Sequence, residues 1–175
     1  YDGSALGTIA TDLSYPNCLC YFENKASLAV AYANKVQLID SAKAKSTLLT
    51  LPINVSVRSM AWNNLRLYIA CAIGYGEDYG DSIIFEWDGN SSEANYAHKV
   101  KGGLVYSIQR YKNGVAFVTN NGQLMSLEGS INELANFPIY YKNKQWANDT
   151  AGLVQMSGNI LSGGMIVDKD IILIG

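Results

Sequence analysis

Apolar residues in this chain come in short runs broken by polar turns, and the runs repeat. Ala26-Ser27-Leu28-Ala29-Val30-Ala31, Leu65-Arg66-Leu67-Tyr68-Ile69-Ala70, Asn113-Gly114-Val115-Ala116-Phe117-Val118 and Lys169-Asp170-Ile171-Ile172-Leu173-Ile174 align without gaps. A polar turn precedes each: Asn24-Lys25, Asn63-Asn64, Lys112-Asn113 and Asp168-Lys169. Before each turn stands another apolar run: Leu19 to Phe22, Val57 to Trp62, Val105 to Tyr111 and Met165 to Val167. Asparagine, aspartate and glycine tolerate the positive φ that a tight hairpin demands. Each unit therefore opens with a predicted β-hairpin.

A third strand is predicted in three units, over Val36 to Asp40, Ile84 to Asp88 and Leu124 to Glu128. Each ends in an acid, and Ser41, Gly89 or Gly129 follows. Weaker fourth strands are expected over Thr47 to Leu51, Tyr96 to Val100 and Ile131 to Phe137. Helical periodicity is missing from nearly the whole chain. Ile131 to Ala135 is the best helical stretch, and it is too short to form a helix unaided.

The anchors Leu28, Leu67, Val115 and Ile171 recur every 40 to 55 residues or so, near the spacing of propeller blades. The run from Leu67 to Ile73 is apolar without alternation, so its sheet needs cover on both faces. Stacking one four-stranded sheet on the next supplies that cover. The predicted fold is all-β: a partial or small β-propeller of four-stranded antiparallel blades, about three full blades plus two partial ones. Residues 1–17 would end a preceding blade, with Ala5 to Ala10 as its outer strand. Blades are expected over 18–52, 53–101 and 102–138, and residues 139–175 would hold a linker loop and the start of the next. This organisation implies a segment of a longer chain.

The motifs resemble β-propeller repeats in general. Trp87-Asp88 ends a third strand, where WD40 repeats carry their Trp-Asp pair, but Ile39-Asp40 and Leu127-Glu128 stand there in the other units. The Gly-His pair of WD40 repeats is missing. Gly102-Gly103 is a kelch-like double glycine, and no sialidase-type Ser-x-Asp-x-Gly box occurs. Asn64 to Ala70 followed by Phe85 to Gly89 resembles divergent propellers of phage virion and tail proteins. That resemblance implies a structural, non-enzymatic role in a virion or tail.

Of the 175 residues, 49% are apolar and 16% charged, and the net charge is −2. This composition excludes a disordered chain. It offers no basic stripe for nucleic acid, so none is expected as a partner. Apolar runs are far shorter than a membrane-spanning helix needs, and no membrane insertion is expected. The three cysteines, Cys18, Cys20 and Cys71, read as buried thiols. Asn-x-Ser/Thr triplets at Asn54, Asn90 and Asn148 are no more than so asparagine-rich a sequence produces by chance.

Candidate chemistry is sparse. Asp40, Asp88 and Glu128 occupy equivalent places, and repetition favours a structural role: accepting backbone N–H groups in the turns that follow. Glu86 alternates with Phe85 and Trp87 and points the other way. The single histidine, His98, reads as a surface residue, and no nucleophile–base pair is apparent. Glu77, Asp78 and Asp81 crowd one loop as weak Ca²⁺ candidates, but their spacing fits no known calcium loop. Cys18-x-Cys20 with Cys71 and His98 is a still weaker zinc candidate. No metal, cofactor or catalytic residue is assigned.

Two interruptions of the repeat, Gly74 to Ser82 and Pro138 to Thr150, should emerge at the same end of the stack. They bring Tyr75, Tyr79, Tyr140, Tyr141 and Trp146 to one rim. Exposed tyrosine and tryptophan anchor interfaces and stack on sugars. The expectation is a non-enzymatic structural or interaction module of a large assembly, with other protein subunits, including copies of itself, as partners. Carbohydrate binding or glycoside hydrolysis is the first alternative. An intracellular protein-interaction scaffold is the second.

Overall fold

The computed structural model describes residues 12–101, 103–120, 122–136, 165–168 and 171–174, and over these the chain is all-β. Sheet I runs β1 (Pro16–Phe22), β2 (Ser27–Tyr32), β3 (Lys35–Asp40) and β4 (Lys45–Thr50). Sheet II runs β5 (Val55–Asn63), β6 (Arg66–Ile73), β7 (Ser82–Trp87) and β8 (Tyr96–Val100). Sheet III runs β9 (Val105–Tyr111), β10 (Gly114–Thr119), β11 (Gln123–Leu127) and β12 (Ile131–Asn136). Each is an antiparallel meander with its strands in sequence order. A two-stranded sheet follows, β13 (Met165–Asp168) with β14 (Ile171–Ile174).

The sheets stack like blades. First strands lie side by side, β1 against β5, β5 against β9, and β9 against β13. Between sheets I and II, Ala29, Ala31, Val36 and Leu38 meet Leu67, Ile69, Phe85 and Trp87 in one apolar core. Between sheets II and III, Ala61, Tyr68, Ala70 and Ile84 meet Ile108, Val115, Phe117 and Leu127. The uninterrupted apolar run of β6 thus serves two cores, its residues alternating between them. Large side chains on the leading face of one sheet fill the space left by alanines on the trailing face of the sheet before. Fully burying a residue such as Leu67 stabilises by about 1.5–3 kcal/mol.

The sequence anchors fall at equivalent positions in three sheets. Leu28 lies between Tyr21 and Ile39, Leu67 between Trp62 and Trp87, and Val115 between Arg110 and Leu127. The fourth anchor is off by one. Ile171 pairs with Asp168 and closes its hairpin, as Arg66 does with Asn63 and Gly114 with Tyr111. Ile172, paired with Val167, therefore stands where Leu67 stands. A one-residue shift exchanges the two faces of a strand.

Turn chemistry differs locally from expectation. The first hairpin closes through a 3₁₀ turn over Glu23–Lys25, ending at Ala26 in the left-handed region (φ 45°). In the second hairpin the turn residues are Asn64 and Leu65, both at positive φ (44° and 67°). β4 starts ahead of the expected Thr47 because the chain turns tightly after Asp40, whose N–H donates to the Ala44 carbonyl at 3.0 Å. Ile131 to Ala135 is extended, paired along β11.

Candidate functional site

The loop between β6 and β7 projects from one end of sheet II and is closed at its base by main-chain bonds. Ile73 N–H donates to the Asp81 carbonyl at 3.0 Å, and Gly74 N–H to the Asn54 carbonyl at 2.8 Å. The second bond sets this loop beside the connection between sheets I and II. Leu51 N–H in turn donates to the Asn34 carbonyl at 2.8 Å. The loops at 33–34, 51–54 and 74–81 thus form one rim, where strand alternation requires them. Tyr75 and Tyr79 stand on it 55% and 74% exposed, with Ile53 84% exposed alongside the same connection. Tyr140, Tyr141 and Trp146, the other half of the expected aromatic rim, lie outside the described residues.

Two acids of this loop are neutralised by protein. Lys99, from β8, pairs with Asp78 and reaches Asp81 at 3.7 Å. The hydrogen bond it donates to Asp78 holds the Lys99 ammonium above its ordinary pKa. Glu77 is exposed. Among the described residues no group of three His, Cys, Asp or Glu side chains is placed to hold a metal. The cysteines and His98 do not converge as a zinc site would need. Cys18 and Cys20 pack against the core between sheets I and II, while His98 bonds to Glu86. Burial, reinforced by Cys20, pushes the Cys18 thiol up to about 11, and burial pushes Cys71 up as well. A thiol with a raised pKa carries little thiolate at neutral pH.

Two of the three repeated acids serve turns. Asp40 accepts the Ala44 N–H at 2.9 Å, and Asp88 accepts the Asn90 N–H at 2.9 Å. Asp88 N–H also donates to the Asn95 side-chain carbonyl at 2.8 Å. Glu128 is exposed. One residue before Asp88, Trp87 is fully buried and its indole N–H donates to the Ser91 carbonyl at 2.8 Å.

His98 is not a surface residue. Its Nε2 lies 2.8 Å from Glu86 Oε1, and the two side chains are only 20% and 12% exposed. Glu86 points away from Phe85 and Trp87, as alternation requires, onto the side of sheet II that faces sheet III. Pairing brings Tyr68 opposite Glu86 and Ile84 opposite His98, so the carboxylate and imidazole share one face. Burial raises the Tyr68 phenol above its usual value, and the Glu86 charge adds to the effect. Arg66 completes the group by stacking on Tyr96, 5.5 Å from the ring centre. Glu86 and His98 sit on adjacent strands at positions that the register makes diagonal neighbours.

The architecture has counterparts among solved structures. A protein of unknown function from Bacteroides caccae superposes with a TM-score of 0.53 at 10% identity, over 72% of this chain and 46% of that one. Hydrazine synthase from Kuenenia stuttgartiensis superposes with a TM-score of 0.54 at 10% identity, over 79% of this chain and 40% of that one. This chain spans less than half the length of either. At such identity the likeness concerns the fold alone. No protein-family model matches the chain, and no curated protein matches it in sequence.

Proposed function

We propose that the stacked sheets belong to a β-propeller, and that the chain is a non-enzymatic structural and interaction module of a large assembly. One observation carries this reading. Tyr75 and Tyr79 stand well exposed on a loop that breaks the repeat, while the repeated acids Asp40 and Asp88 are engaged in holding turns. Large aromatic groups on a well-anchored loop are efficient contact residues, because little side-chain freedom is lost on binding. The sequence resemblance to phage virion and tail propellers supports a virion assembly as the setting.

The same tyrosines favour a second reading, a carbohydrate platform, because exposed aromatic rings also stack on sugars. A photo-cross-linking residue at Tyr79, activated in extracts of the source, separates the two. The interaction reading expects a discrete protein adduct that Tyr75→Ala weakens. A saturable oligosaccharide affinity that Tyr75→Ala and Tyr79→Ala abolish, without a protein adduct, would overturn it. So would glycoside hydrolysis lost in Glu86→Gln.

A further inference from the structure

Sheets I and II part slightly at the end where the β1–β2 hairpin lies. A cavity of about 330 Å³ remains between them, floored by Leu38 and walled by Asp40 and Thr47 on one side and Gly89 and Asn90 on the other. Lys25, from the 3₁₀ turn, lines it too and bonds to the Asn90 side-chain carbonyl. The register explains the space. Ser27 stands between Phe22 and Asp40, as Arg66 stands between Asn63 and Asp88. Arg66 fills its place: the guanidinium stacks on Tyr96, and one Nη atom is fully buried. After the Asn90 N–H, its charge is among the influences that hold Asp88 below the ordinary carboxylate range. Ser27 is too short to fill or to charge the same place in sheet I. Among the described residues no ion pair engages Asp40.

The lining is dipolar. Asp40 gives one carboxylate oxygen to the Ala44 N–H at 2.9 Å, and Lys25 gives one ammonium proton to Asn90. Each has bonding capacity left, and the two charges are not paired with each other. Charges set against an apolar floor attract an opposite charge more strongly than charges in bulk water. We infer that this cavity binds a small zwitterion, an α-amino acid with a short polar side chain. Its ammonium takes the place beside Asp40 that Arg66 takes beside Asp88, and its carboxylate meets Lys25. The volume is at the low end for ligand cavities, which favours so small a molecule. Among the described residues no aromatic ring lines the cavity, so a sugar has no platform there.

L-Serine titrated into the ¹⁵N-labelled chain and followed by backbone amide NMR tests this. The expected result is saturable shifts at Ala44, Gly89 and Asn90, with a Kd of about 1 mM, the order that so small a ligand reaches. Ethanolamine and 3-hydroxypropionate, each carrying one of the two charges, should bind roughly tenfold more weakly. Asp40→Asn keeps an oxygen for the Ala44 N–H, and Lys25→Met keeps the aliphatic stem. Each should weaken serine by roughly tenfold while the remaining amide shifts stay in place. Absence of saturable shifts at serine concentrations well above that Kd would overturn the inference. So would equal binding of either singly charged compound, the same shifts produced by glucose, or serine binding unchanged in both variants. The cavity lies at the opposite end of the sheets from Tyr75 and Tyr79, so cross-linking from Tyr79 reads the interaction-module proposal separately.

Discussion

The side-chain amide of Asn63 donates to the main-chain carbonyl of Gly114 at 2.6 Å and to that of Lys112 at 2.9 Å. One fully buried residue at the end of β5 thereby ties sheet II to the first hairpin of sheet III. Asn64 adds a third tie, donating to the Asn113 carbonyl at 3.0 Å. Apolar stacking faces are slippery by themselves, since burial is non-directional. These amides fix how far one sheet lies along the next.

Removing that tie should be costly. Asn63→Ala strands two carbonyls and should destabilise by about 1–3 kcal/mol. Asn63→Asp should cost more at neutral pH, because a carboxylate donates nothing and faces two carbonyl oxygens. Urea unfolding of the two variants checks both the sign and the order.

Gly89 is constrained twice over. Its φ is +77°, and a Cβ there would lie 2.9 Å from Phe22 Cε1 and 3.0 Å from Lys25 Cε. Gly129 has the same kind of backbone, φ +81°, with open space around it. Gly129→Ala should therefore cost only the left-handed strain, about 1–2 kcal/mol. Gly89→Ala should add roughly another 1–3 kcal/mol of overpacking between sheets I and II. Thermal melts of the pair separate the two contributions.

Leu65 sits at φ 67° in a two-residue hairpin turn and is 63% exposed. That conformation suits glycine after asparagine, and leucine gains no burial there to offset the strain. Leu65→Gly should raise stability by roughly 1 kcal/mol. Equal or lower stability by urea unfolding would show that Leu65 is held by a contact.

Asp88 is held below the ordinary carboxylate pKa, mainly by the Asn90 N–H. A depressed folded-state value means that the stabilising contribution is complete above the unfolded value. It is lost as pH falls through the folded one. The carboxylate is half-buried but open to water, and solvent screening keeps the effect under about 1 kcal/mol. Asp88→Asn should lower stability slightly at neutral pH and flatten its decline in acid. Unfolding free energies measured from pH 7 down to pH 2 check this.

Hairpins, strand order and the need for sheet-on-sheet cover were legible because each follows from alternation and turn residues. So was the role of Asp40 and Asp88, since a repeated acid before a turn has a repeated local task. The one-residue shift at Ile171 was not legible. Ile171 and Ile172 are the same residue type, and only the pairing of Asp168 with Ile171 sets their places in the hairpin. His98 was misjudged for a related reason. Its strand is polar, exposed at Tyr96, Ala97 and Lys99, and the Glu86 partner that draws it inward is remote in sequence. The rim was only partly recoverable. Tyr75 and Tyr79 stand where the loop count put them, while Tyr140, Tyr141 and Trp146 lie outside the described residues.

The central claim is that the three sheets lie side by side in chain order. Cysteine pairs bridged by a short bismaleimide, with the three native cysteines replaced by alanine, test it most directly. Lys25 bonds to Asn90 across sheets I and II, and Asn64 to Asn113 across sheets II and III. The account predicts rapid intrachain links for Lys25→Cys with Asn90→Cys and for Asn64→Cys with Asn113→Cys. It predicts none for Lys25→Cys with Asn113→Cys, whose sheets are not neighbours. A link in that last pair, or failure of either neighbouring pair, would contradict the stack.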